Sequence, residues 1–223
     1  MGEVIGDILP LALGITISPI PIIAAILMLL SPKAKGTSVG FLVGWILGIL
    51  IVLAVFILLA SVITPADPDQ PQPISGAIKL LLGALMLVMA IKQWRGRPRD
   101  GAEPSMPVWM SAIDQLTAAK GLGLGLLLSA VNPKNLLMGA GAGVTIGSAG
   151  LPFGSAGVTV GLFTAIAAAS VAVPVIGYLA AAEAMSGPLE ELRCWLTSNN
   201  ATVMAVLLLV IGVMMIGKGI GSF

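Results

Sequence analysis

Leu128-Ser129-Ala130-Val131-Asn132-Pro133-Lys134-Asn135-Leu136 lies in the middle of an apolar run from about Leu122 to Ile146, and its reading decides the fold. Proline in a helix removes a hydrogen bond and clashes with the carbonyl one turn earlier. The segment Asn132-Pro133-Lys134-Asn135 therefore predicts a break near the centre of a membrane-length run. A counterpart, Ser18-Pro19-Ile20-Pro21, falls about midway along the run from Ile5 to Leu30. Prolines at both 19 and 21 almost require an unwound or sharply bent stretch. Lys134 is the strongest signal in the chain. It lies about 12 residues into its run, roughly 18 Å along a helix axis, too deep to snorkel easily to either interface.

Working outward from these breaks, the composition fixes the solvent. Of 223 residues, 57% are hydrophobic and 9% charged, with a mean hydropathy of +1.07. Soluble domains carry about 25% charged residues, so the surroundings of this chain must be lipid. About six runs are long enough to cross a bilayer: Ile5–Leu30, Thr37–Ile63, Ile74–Ile91, Leu122–Ile146, Ser155–Ala182 and Thr197–Gly217. Turn-forming stretches separate them, such as Ser31-Pro32-Lys33 and Thr64-Pro65-Ala66-Asp67-Pro68. The expected fold is an all-α membrane protein of six transmembrane helices. Residues 1–91 form a first three-helix repeat and 122–223 a second. Three spans is an odd number, so the repeats insert with inverted topology, their first helices both broken at proline.

The segment 92–121 between the repeats reads as a basic loop followed by an interfacial helix. Gln93-Trp94-Arg95-Gly96-Arg97-Pro98-Arg99 is a Trp-anchored basic membrane edge suited to lipid headgroups. Val108, Trp109, Ala112, Ile113 and Leu116 recur at helical spacing within Pro107–Lys120. Lys33, Lys35, Lys92, Arg95, Arg97, Arg99, Lys120 and Arg193 fall on one side, against Lys79 and Lys218 on the other. The positive-inside rule makes the first set cytoplasmic. Both termini of this multi-pass plasma-membrane protein are then extracytoplasmic. The start, Met1-Gly2-Glu3-Val4, matches neither a secretory signal nor, with Gly6 at the Ser/Thr position, a myristoylation pattern.

Free backbone groups at membrane depth are tolerated where they are buried in protein or line a cavity. Paired breaks in corresponding positions of two halves point to a central translocation site. Its expected members are Thr16, Ser18, Pro19, Pro21, Asn132, Pro133, Lys134 and Asn135. An intramembrane ammonium needs a partner, and no acidic residue lies at matching depth. Lys134 must find carbonyls freed at the breaks, water or an anionic ligand. Gly40, Gly44 and Gly48, with Gly139 and Gly143, space small residues for close helix packing within one chain or across a homodimer. The chain has no His and only Cys194, placed in a short polar connection. Zinc sites, disulfides and His-based catalysis are thereby excluded. No catalytic arrangement, metal site or cofactor is expected, and nothing suggests a nucleic-acid partner.

The broken first span, Asn132-Pro133-Lys134 opening the second half, and six spans together resemble the lysine exporter superfamily. The fuller string Leu128 to Leu136, with Trp109-Met110-Ser111-Ala112-Ile113-Asp114 upstream, is similar to its actinobacterial GAP branch, the sulfolipid-addressing or glycopeptidolipid-addressing proteins. Ile20 stands where the superfamily's first-span Pro-Gly-Pro motif has glycine, so amino-acid export is not carried over. The resemblance implies movement of large cell-envelope glycolipids across or towards the surface.

Three functions are compatible with these residues. The first is a transporter of an anionic amphiphile, its head at Ser18, Asn132, Lys134 and Asn135 and its chains between glycine-rich helices. With no nucleotide-binding motif, its energy must come from a gradient or a partner. The second is an exporter of a small hydrophilic solute such as an amino acid. The third is a membrane scaffold that recruits lipid-synthesis or export machinery through the basic loop.

Overall fold

In a computed structural model, residues 1–63, 73–97 and 116–222 are described, and they form eight α-helices. These are α1 (Gly2–Thr16), α2 (Pro19–Leu29), α3 (Ala34–Ile63), α4 (Pro73–Arg95), α5 (Ala118–Ala130), α6 (Pro133–Gly147), α7 (Phe153–Ala180) and α8 (Ala182–Ile220). Both expected breaks are present. A residue preceding proline is pushed out of the α region. Ser18 accordingly adopts φ −108° and ψ 100°, and α2 restarts with Pro19 in its first turn, where its missing N–H costs nothing. The α1 and α2 axes differ by 50°. Asn132, at φ −59° and ψ 119°, precedes Pro133 and opens α6 in the same way.

Four helices, α3, α4, α7 and α8, are long and apolar enough to cross a bilayer, and α1 with α2 makes a fifth as one bent span. The sixth expected crossing does not stand on length and composition. Its α5 is a short apolar helix of 13 residues, and α6 gives Pro133, Lys134, Asn135 and several glycines to other purposes. Large apolar side chains face outward on the long helices. Val43, Leu47, Ile51, Val55 and Leu58 form such a stripe on α3, suited to lipid and unlike a water-facing surface.

Glycine sets the closest packing. A Cβ on Gly40 would overlap the Ala118 carbonyl, one on Gly44 the Leu122 carbonyl, and one on Gly48 the Ser129 hydroxyl. Gly121 and Gly125 are held in return against the backbones of Thr37 and Phe41. Further along, Gly139 meets Val52 and Gly143 meets Phe56. Residue numbers rise together on both sides, so α3 runs parallel to α5 and then α6. The Gly40/Gly44/Gly48 face is thus consumed inside the chain and is not free for a homodimer. By contrast, α4 and α8 are antiparallel, with Leu80 against Gly219 and Gly83 against Gly212.

The ends of the bundle differ in charge. At one end, the α2–α3 turn, the start of α5 and the α7–α8 turn surround a cavity of about 630 Å³ bordered by Lys33, Lys35, Thr117 and Tyr178. At the other, Lys218 pairs with Asp7 at 2.5 Å, and Lys79 reaches the Ser222 hydroxyl at 3.3 Å. Arg95, ending α4, lies towards the first end because α4 is antiparallel to α8.

Two boundaries move. The expected connection around Cys194 is helical, since only Ala181 separates α7 from α8. Buried Leu189 and Leu196, seven residues apart, and the Glu190–Arg193 ion pair sustain that helix through its polar stretch. At 39 residues, α8 extends about 58 Å, beyond a hydrocarbon layer of about 30 Å. The expected basic loop also shrinks, because Lys92 to Arg95 belong to α4 and Ala118 already opens α5, capped by Thr117. The interfacial helix expected over Pro107–Lys120 falls mostly outside the described residues.

Candidate functional site

The two breaks meet, and their freed carbonyls are claimed by neighbouring side chains. In an α-helix the carbonyl of residue i accepts from the N–H of residue i+4. Gly14 would accept from residue 18, but Ser18 is extended. Ile17 has itself left helical geometry, at ψ 60°, and residue 21, four positions on, is a proline without an N–H. The Lys134 ammonium donates to both, at 2.6 Å to Gly14 O and 3.2 Å to Ile17 O. It thereby sits against the negative end of the α1 dipole. At 1% exposure, it is the one charged residue buried among the described residues.

The second break is served by the next residue. Leu128 stands four before Asn132 just as Gly14 stands four before Ser18. Its carbonyl accepts from Asn135 Nδ2 at 3.0 Å. Ser18 Oγ donates to Asn135 Oδ1 at 3.1 Å, tying the start of α2 to α6. Asn132 caps α6 locally, its Oδ1 accepting from the Lys134 N–H at 3.1 Å. Adjacent residues of α6 thus satisfy both breaks: Lys134 the one across the molecule, Asn135 its own. Buried polar contacts of this kind are rigid and specific, and costly to lose in part.

The expected site residues divide accordingly. Ser18, Lys134 and Asn135 form the buried cluster, with Asn132 at its edge. Pro19, Pro21 and Pro133 act through backbone shape, as the residues that force the restarts. Thr16 goes elsewhere: its hydroxyl lies 2.9 Å from Ala12 O and 2.6 Å from Ile166 O, joining α1 to α7.

Gly14, Ile17 and Leu128 are outside the expected set and take part through main-chain oxygens. Counting back four positions from Ser18, Pro21 and Asn132 would have found all three. Gly14 has a second role, since a Cβ there would overlap Ile211 and come within 2.6 Å of the Met138 sulfur.

Chemically, the cluster favours an anion. An ammonium has three donor hydrogens, and the two acceptors at Gly14 and Ile17 are those it has among the described residues. Lys134 also lies in the first turn of α6, and α2 starts alongside. Pro19, Pro21 and Pro133 carry no N–H and the Lys134 N–H is taken by Asn132, so an anion placed there would meet the ammonium and the positive ends of two helix dipoles.

No curated protein and no solved structure matches the chain. One family model does, over residues 8–221: SfLAP, described as Sap, sulfolipid-1-addressing protein. Covering nearly the whole length, that match makes the chain a member of the sulfolipid-1-addressing protein family.

Proposed function

We propose that this membrane protein moves an anionic cell-envelope glycolipid, of the sulfolipid or glycopeptidolipid type, across the plasma membrane through the junction of the two breaks. The observation that carries the reading is the buried Lys134 ammonium holding carbonyls of α1 from the first turn of α6. The sulfate or other acidic head displaces one carbonyl and pairs with Lys134, Ser18 and Asn135. Its acyl chains stay in lipid, beside the exposed Ile17, Val131 and Pro133 at the breaks. The family's sulfolipid name supports this substrate class.

The arrangement is two inverted three-span halves, α1–α4 and α5–α8, in the manner of the lysine exporter superfamily. It is supported by α5 and α6 accompanying α3 in parallel from Gly36 to Ala60, a path of about 36 Å, as long as a crossing. Matching cap positions at Ser18 and Asn132 support it too. Gathering of Lys33, Lys35 and the α5 start at one end supports a cytoplasmic face there, with both termini outside.

Binding tests the reading. The purified protein should bind a sulfated glycolipid more tightly than its desulfated form, with the preference lost in Lys134→Gln. Equal affinity for both forms would overturn it. A second reading, a scaffold for lipid-synthesis or export machinery, is favoured by the carbonyl acceptors Lys134 already has. It predicts that neutralising Arg95, Arg97 and Arg99 impairs lipid delivery more than Lys134→Gln does.

A further inference from the structure

A groove lies away from Lys134, between α4 and α8 near the Arg95 end of α4. Ala90 and Ala205 face each other there, both buried, and their short side chains leave a groove of about 370 Å³. Exposed Ile91 and Leu209 wall it, and Trp94 and Arg95 stand at its end. Its volume lies at the small end of the ligand-pocket range of about 300–1,000 Å³. The walls are open to the surroundings that the outward apolar stripes assign to lipid, and the lining offers almost nothing to a polar solute.

The end of the groove is positively charged. Arg95 lines it directly, and exposed Lys92 lies one turn earlier on α4. Arg97 is folded back, its guanidinium 3.9 Å from the centre of the Trp94 ring and its Nη1 donating to Trp94 O at 3.0 Å. No carboxylate lines the groove among the described residues. Arginine with tryptophan at a helix end is suited to the interfacial level of a bilayer, where headgroups sit.

We infer that this groove binds one anionic glycerophospholipid of the surrounding membrane, an acyl chain over Ala90 and Ala205 and the phosphate at Arg95. The site is independent of the translocation reading, since it shares no residue with the cluster at Lys134. Both apolar fit and charge are required: the first excludes a soluble phosphate, the second disfavours a zwitterionic lipid.

Quenching of Trp94 fluorescence tests it, with the full chain in vesicles containing brominated phosphatidylglycerol or brominated phosphatidylcholine. The Trp94 contribution is taken as wild type minus Trp94→Phe. A basic contact at the membrane surface should favour the anionic lipid on the order of five-fold. Arg95→Gln should remove about that factor, and Ala205→Leu, which fills the groove, should lower quenching by both lipids. Equal quenching by the two lipids, or an unchanged preference in Arg95→Gln, would overturn the inference. Arg95 is exposed at a helix end, so this variant reports even if Ala205→Leu does not fold.

Discussion

Lys134 Nζ lies 3.2 Å from the carbonyl oxygen of Ile17, an acceptor whose helical donor would have been residue 21, a proline. A proline-forced break in one half of the chain thus frees the acceptors that a lysine in the other half fills. That relationship locks the halves together and places a cation where both helices are interrupted.

The lock can be opened at the lysine. Lys134→Met strands the Gly14 and Ile17 carbonyls, and each unsatisfied buried group costs about 1–3 kcal/mol. The detergent-solubilised variant should unfold at lower temperature. Lys134→Gln keeps an N–H donor that can still reach one of the two carbonyls and should cost less. Equal losses in the two variants would contradict the assignment.

Asn135→Ala removes the partner of both Leu128 O and Ser18, whereas Ser18→Ala deletes one hydroxyl and leaves Asn135 bonded to Leu128. The first should destabilise by about 1–3 kcal/mol and the second by less. Thermal unfolding of the two variants side by side checks the order.

Glycine positions that look alike in sequence should behave differently. Gly44→Ala drives a methyl into the Leu122 carbonyl and should cost about 1–3 kcal/mol. Gly161, spaced like it on α7, has nothing within 4 Å, and Gly161→Ala should gain up to about 1 kcal/mol. Because the Gly44 contact lies within one chain, the loss should not depend on protein concentration.

Sidedness can be read without mutation. Cys194, the sole cysteine, is exposed on α8. A membrane-impermeant maleimide should label it in inside-out vesicles and not in intact cells. Labelling in intact cells would reverse the proposed orientation.

Much of this was legible in the residues. Proline's missing donor fixed both breaks, and the lack of any acid at Lys134's depth pointed to carbonyl acceptors. The small residues of α3 announced close packing, but spacing alone could not say against what. Parallel pairing with α5 and α6 is a tertiary fact. The helix through Cys194 was missed because hydropathy marks membrane depth, while Leu189, Leu196 and the Glu190–Arg193 pair sustain a helix outside it. Thr16 was grouped with the site by proximity in sequence. Its partner, the Ile166 carbonyl, lies 150 residues away.

The central claim, that the buried Lys134 cation handles an anionic lipid, is tested most directly by transbilayer movement in reconstituted vesicles. An impermeant reagent would follow a sulfated glycolipid arriving at the opposite leaflet, comparing wild type with Lys134→Gln, both shown to be folded. Loss of a charge-assisted contact should slow movement about ten- to a hundred-fold. Movement at the wild-type rate in the folded Lys134→Gln variant would contradict the account.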